Sequence, residues 1–218
     1  MMPVVKSFVR PDGRRFVRDP DAESLARIQG DVYCTAEEGA VGPYLALGFV
    51  AHRREGTYLV PTRSTRAETP PGIRLLRADQ VDETSLRRLD DALRQDVPGT
   101  DGWQWDEADF HEETYGSPHF DPATYLVAVD EASADPVGIA RVWMRPGRAR
   151  LGFVGVLQPY RRRGLGRALL AGVFSELDRR GVREVSTEID ETNTASRALL
   201  EGLGAERTGT TVELIRHA

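Results

Sequence analysis

The sequence predicts an α/β protein of mixed α+β type, a sheet layered with helices, and three observations predict it. Strand-like and helix-like segments alternate from Ile73 to the C-terminus. A long amphipathic helix from Gly164 to Arg180 carries Leu165, Leu169, Leu170, Val173, Phe174 and Leu177 on one side. Of the 218 residues, 40% are hydrophobic and 29% charged, enough for a sizeable core.

The elements follow in order. Val4–Val9 and Arg15–Val17 flank a Pro-Asp-Gly turn. Helices are predicted over Ala22–Ile28 and ending near Gly48, with a hairpin on to Pro61. Thr62–Pro71 holds little that can pack and reads as a linker, dividing the chain into residues 1–68 and 72–218. Ile73–Leu76 is a strand, and Val81–Leu93 a helix on Leu86, Leu89 and Leu93. Asp96–Asp121 is polar and tryptophan-bearing, without a period. Tyr125–Val129, Val137–Met144 and Leu151–Val156 are strands, the last two joined at Pro146-Gly147. After the long helix, stopped by Gly181, come strand Val182–Ile189, helix Ala195–Leu203 and strand Thr211–Ile215. One echo connects the two parts. Tyr44-Leu-Ala-Leu-Gly-Phe49 and Leu200-Glu-Gly-Leu-Gly-Ala205 each precede a hairpin-like stretch, as a partial repeat would.

Charge and composition narrow the function. A net charge of −5 argues against general nucleic-acid binding. No apolar run is long enough for a membrane span, and the N-terminus lacks a secretory leader's apolar core. The lone Cys34 forms no internal disulfide and carries no nucleophile motif, so a cytoplasmic setting is expected. Lys6 is the only lysine, so the other 28 of the 29 basic residues are arginine. With abundant Ala, Gly and Asp, this fits a GC-rich bacterial gene.

The informative stretch runs from Val154 to Leu170: a strand, a basic turn, and a helix start. Helix N-termini expose unpaired N–H groups and partial positive charge, and so hold anions. Gly164 and Gly166 let a phosphate approach the backbone, consecutive turn amides can form an anion nest, and Arg161, Arg162, Arg163 and Arg167 ring it. A pyrophosphate suits such a place. The dinucleotide fingerprint fails, because Leu169 stands where its third glycine belongs. The mononucleotide loop fails for want of its lysine. A solvated arginine loop and a nucleic-acid patch stay open on these residues alone.

Arg161-Arg162-Arg163-Gly164-Leu165-Gly166 resembles the Arg/Gln-x-x-Gly-x-Gly/Ala signature of the GNAT acyltransferases. Val156-Leu-Gln-Pro-Tyr-Arg161 resembles the strand end preceding it, with the proline displaced by one position. Asn193, Ser196, Leu199, Leu200 and Gly204 resemble the family's later helix, and the likeness covers about 145 residues in order. It implies a GNAT-like acyl-coenzyme A N-acyltransferase fold, a central mixed, mostly antiparallel sheet flanked by helices, beside a small N-terminal α/β subdomain. It also implies two strands, Leu151–Val156 and Val182–Ile189, splayed around the pantetheine arm of acetyl-coenzyme A.

On this resemblance Val154, Gly155 and Val156 pair with pantetheine as an added strand. Arg161, Arg162, Arg163, Gly164, Leu165, Gly166 and Arg167 hold the pyrophosphate, and Asn193 bonds the cofactor beyond the next strand. The acetyl group passes directly to a primary amine of a small molecule or peptide, with no metal, nucleic acid or membrane involved and with room for a homodimer. Relatives often use a tyrosine acid where Leu200 stands, so that acid is missing. Glu188, which shares a strand face with Ser186 and Asp190, is the candidate base; His111 and His119 are weaker ones. Trp103, Trp105, Asp106 and Tyr115 either line the acceptor site or pack a lid. The alternative, motivated by Leu200 and the incomplete repeat, is a non-catalytic acyl-coenzyme A sensor.

Overall fold

The computed structural model describes residues 6–18, 20–63 and 67–218. Val4 and Val5 of the first predicted strand, and residues 64–66 of the predicted linker, lie outside the described residues. The chain forms two compact units. The first holds the described residues up to Thr57 together with Glu188–Thr192 and Arg207–Ala218. The second holds Tyr58–Thr187 and Asn193–Glu206. This division differs from a cut at the linker, because the last strand counts with the N-terminal residues.

In the first unit lie β1 (Lys6–Val9), β2 (Arg15–Arg18), α1 (Ala22–Leu25), β3 (Val32–Glu37), α2 (Gly42–Ala46) and most of β4 (Val50–Pro61). The second unit contains β5 (Ile73–Arg77), α3 (Glu83–Arg94), α4 (Glu107–Thr114), β6 (Tyr125–Asp130), β7 (Pro136–Trp143) and β8 (Arg150–Val156). It continues with α5 (Leu165–Arg179), the start of β9 (Glu184–Asp190) and α6 (Thr194–Glu201), and β10 (Glu206–Arg216) belongs mainly to the first unit.

In the first unit β1 and β2 form an antiparallel hairpin, β2 runs parallel to β3, and β3 pairs antiparallel with β10. Val17, Leu25, Val32, Cys34, Phe49 and Leu214 are buried together. Burial pushes the Cys34 thiol up to about 12, so it is an inert core residue.

In the second unit β5 to β8 form an antiparallel meander, and β9 joins β8 in parallel. The period of two divides its faces. Tyr125, Val127, Val129 and Ile139 pack against α3 and Phe110 of α4. Leu126 and Gly138 face α5: a Cβ on Gly172 would lie 2.7 Å from Leu126, and one on Gly138 would lie 3.2 Å from Leu169. Helix α5 buries all six of its predicted apolar residues. It ends where Gly181, at φ 78°, donates to Asp178 and Val182 donates to Leu177.

Five segments differ from expectation. Residues 50–61 are one strand, not a hairpin, and residues 206–216 likewise. Gly209 is no turn: a Cβ there would lie 3.0 Å from Thr57 Oγ1, so it permits close strand approach. Strand β3 was not anticipated, although Val32, Cys34 and Ala36 alternate inward. Within Asp96–Asp121 lies α4, started by Asp106, whose carboxylate accepts the Ala108 N–H at 2.9 Å. Helix α1 stops at Leu25, short of Ile28.

The echo has a structural counterpart. After α2, Leu47 and Phe49 both donate to Tyr44 O; after α6, Leu203 and Ala205 both donate to Leu200 O. Gly48 and Gly204 hold φ of 86° and 84° in the two turns.

Candidate functional site

Strand β8 pairs with β7 from Gly138↔Val156 to Trp143↔Arg150, and the register shifts between Arg141 and Val142. Gly152 is the extra residue of the resulting bulge. Only glycine fits, because a Cβ there would lie 2.4 Å from the Trp143 indole nitrogen. On its other edge β8 meets β9 through one pair, Arg150↔Ser186, where Ser186 donates to Ala149 O. The Thr187 hydroxyl adds a bond to Leu151 O at 3.0 Å. Beyond Leu151 the two strands part.

The parted edge has a readable polarity. Leu157 donates its N–H to Val137 O across β7. Alternation then turns the peptide groups of Val154 and Val156 to the opposite edge. The Val156 carbonyl is taken there by Arg161 Nε at 2.8 Å. A cleft of about 720 Å³ opens at this edge, lined by Phe153–Val156, the turn before α5, Asn193 and Leu199.

The turn is built to leave amides bare. After a 3₁₀ turn at Gln158–Tyr160, Arg162 and Gly164 both take left-handed conformations, at φ 64° and 85°. The N–H groups of residues 162–167 meet no acceptor among the described residues. Helices α1, α3 and α4 each have an aspartate cap and a first-turn acid; α5 has neither. Its positive end therefore has no side-chain cap and no first-turn acid against it. A Cβ on Gly164 would meet nothing within 4 Å, so that glycine is required by its φ and not by space.

The arginines divide by role. Arg161 is tied to the cleft wall, through the Val156 carbonyl and an ion pair with Asp96 at the end of α3. Arg163 lies over the Tyr160 ring at 5.6 Å. The Tyr160 hydroxyl donates to Asp130 at 2.8 Å and, with the N–H groups of Ala132 and Ser133, holds that carboxyl below the usual range. Arg162 and Arg167 are exposed. Leu165 buries its side chain, so only its amide faces the turn. Asn193 caps α6, its Oδ1 accepting the Ser196 N–H at 3.0 Å, which leaves Nδ2 as its contribution to the cleft. Leu200 is buried and presents no proton donor.

The other candidates lie elsewhere. Glu188 belongs to the first unit and is not among the residues lining the cleft. Near it Arg53 donates to Glu55 at 2.8 Å and to Asp190 at 3.1 Å. Burial raises the Glu55 carboxyl above its ordinary value; Arg53 opposes this, and Glu213, Glu188 and Asp190 add to it. His111 is exposed, 3.0 Å from Glu83 and stacked on Tyr115. His119 sits in a loop, its N–H bonded to Ser117. Trp105 is a core residue, Asp106 is the cap of α4, and burial pushes the Tyr115 phenol up to about 12. Sequence reasoning missed Leu93, Asp96, Val97, Phe153, Tyr160 and Ala195, which also line the cleft. Asp96 could have been suspected as the acid following the α3 stripe; its pairing with Arg161 spans 65 residues and leaves no local signal.

Among the described residues no cluster of three or more His, Cys, Asp or Glu side chains could hold a metal, and no helix is long and apolar enough to cross a membrane.

Residues 86–205 match the profile of the acetyltransferase (GNAT) family. A GCN5-related N-acetyltransferase from Sphaerobacter thermophilus shares the fold at a TM-score of 0.75 and 20% identity, over 98% of this chain and 76% of the other. A tandem GNAT protein from the clavulanic acid biosynthesis pathway aligns at 0.69 and 17% identity, over 94% and 75%. A GCN5-related N-acetyltransferase from Kribbella flavida aligns at 0.61 and 16%, over 98% and 90%. No protein of curated function matches the chain in sequence.

Proposed function

The chain belongs to the GNAT acetyltransferase family, whose profile matches more than half of it, and from that premise we propose that it transfers an acetyl group from acetyl-coenzyme A to a primary amine. The observation that carries the reading is the run of unpartnered amides over residues 162–167 at an uncapped helix start. Those amides fit a diphosphate: six donors converge on one turn, glycine keeps its surface open, and no first-turn acid competes.

In this reading the amides of residues 162–167 bind the pyrophosphate, with Arg162 and Arg167 as flanking charges. Val154 and Val156 offer their outward peptide groups to the pantetheine amides, in the manner of an added strand. Arg161 Nε first releases the Val156 carbonyl, while its terminal nitrogen keeps the ion pair with Asp96. Bound acetyl-coenzyme A supplies the acyl group as an activated thioester. A backbone N–H of the Val154–Val156 segment donates to the oxygen that gains negative charge. The strands hold the partners at attack distance, from which most of the acceleration comes. Asp96 is neutralised by Arg161, so the ammonium proton leaves through water in the cleft. With Leu200 in the later helix, the departing sulfur is protonated by solvent. Glu188 is not carried forward as the base.

Leu200 and the lack of an unpaired base among the cleft residues favour a second reading, an acyl-coenzyme A sensor. A thiol-release assay with acetyl-coenzyme A and a panel of amines, amino acids, peptides and antibiotics separates the two. We expect at least one primary amine to raise release clearly above the acceptor-free rate. Tight binding without release from any acceptor would establish the sensor; neither binding nor release would overturn both.

A further inference from the structure

Beside the cleft, the second unit contains a group of charges that does not balance. Asp90 of α3 is fully buried. Its Oδ1 accepts the Trp105 indole N–H at 2.7 Å and is bonded by Arg94 Nε. Its Oδ2 has no hydrogen-bond partner, with Arg141 NH1 3.7 Å away. Arg141 is 5% exposed and its Nε is likewise unpartnered. Asp91, the chain neighbour of Asp90, accepts the Trp105 backbone N–H at 2.8 Å and sits 3.6 Å from Arg87. Three guanidinium groups thus face two carboxylates. A surplus positive charge in a largely buried cluster is costly unless an anion completes it.

The surplus includes Arg94, which is not itself among the residues lining the cleft but packs on the ring of Phe153, which is. Its Nε is fixed by Asp90, and its guanidinium lies 5.0, 5.4 and 5.7 Å from the rings of Trp105, Phe153 and Trp103. Rings on several sides and a bond at Nε hold the group in one orientation. Its terminal nitrogens NH1 and NH2 have no acceptor among the described residues, and a fifth of the side chain stays exposed. Leu93, the preceding residue, and Phe153, over which Arg94 lies, both line the cleft. An ordinary i,i+4 pair would account for Nε alone. It would account neither for the second arginine on Asp90 nor for a preset guanidinium with its fork empty.

We propose that Arg94, beside Phe153 of the cleft wall, binds a carboxylate, so that the acceptor is an amine that also carries a carboxylate, of the amino-acid class. The identity of the acceptor rests on the acyl-transfer reading; the carboxylate site does not. A guanidinium fork suits a carboxylate in two parallel bonds, which a neutral carboxamide cannot match.

Calorimetric titration of the full chain with N-acetylalanine and N-acetylalaninamide tests this without turnover, because the probes differ only in the carboxylate. The acid is expected to bind about tenfold or more tightly than the amide at low salt, with the advantage shrinking as salt rises. Arg94→Gln should erase the difference, and Arg94→Lys should keep part of it. Should Arg94→Gln not fold, as judged by circular dichroism, the lysine variant and the wild-type salt series carry the test. Equal affinities, no binding of either probe at millimolar concentration, or a difference unchanged in the variants would overturn the site. Thiol release with amines but no carboxylate preference would remove this inference and leave acyl transfer standing. Carboxylate binding without any release would do the reverse.

Discussion

Gly166→Glu is expected to weaken acetyl-coenzyme A binding by about a hundredfold or more, while the unfolding midpoint stays near that of wild type. The expectation rests on opposite effects of one carboxylate. Gly166 lies in the first turn of α5, and a Cβ there would meet only Leu199 at 3.5 Å and Val156 at 4.0 Å, ordinary contacts. An acid in a first helical turn favours the helix by about 0.3–1 kcal/mol. The same charge occupies the bare amides that a diphosphate would use, and repels it. Loss of binding therefore cannot be charged to loss of structure. Gly164→Ala is the gentler companion: at φ 85° an alanine costs about 1–2 kcal/mol in backbone strain, and it should lower affinity less. Calorimetry for binding and circular dichroism for melting check both. Unchanged affinity in Gly166→Glu would place the phosphates elsewhere.

Asp90→Ala should be the most destabilising single truncation, by about 3–5 kcal/mol, because it strands Arg94 and Arg141 without their shared carboxylate. It also leaves the buried Trp105 indole N–H unbonded. For a chain of this size the loss corresponds to a fall of roughly 10 °C in Tm. Trp103, Trp105 and Trp143 all belong to the second unit, so tryptophan fluorescence reports on the unit concerned. Asp79→Ala is the control: its pair with Arg77 is 39–52% exposed and should be worth under about 1 kcal/mol. Similar losses in the two variants would show that the buried group contributes nothing special.

Much of the second unit was legible because its elements have strong local marks. Helix α5 shows six apolar residues at helical spacing between two glycines that hold left-handed conformations. Helix α3 shows Leu86, Leu89 and Leu93, and β6 is a continuous apolar run, as a strand covered on both faces must be. Helix α4 was hidden because it buries only Phe110 and Thr114, too few to make a period. Strands β4 and β10 are single strands where hairpins were expected, and their glycines Gly56 and Gly209 remain extended within them.

Within the site, the bare turn was deducible from its glycines, but the division of labour among its arginines was not. Arg161 acts through Asp96 and the Val156 carbonyl, and these partners come together only when β8 and α3 pack. The parting of β8 from β9 leaves no trace in residue type and was anticipated through family likeness alone. Asp90 was not singled out in the sequence, although it is fully buried. Its place four residues after Leu86 and one after Leu89 sets it on the buried face, and that signal was available.

The central claim is that the amides of residues 162–167 hold the diphosphate, and their resonances in ¹⁵N-labelled protein test it most directly. Titration with coenzyme A should move these signals together and saturably, whereas pantetheine, which lacks the diphosphate, should leave them in place. Signals from the turn that stay fixed at saturating coenzyme A, or that respond equally to pantetheine, would contradict the account.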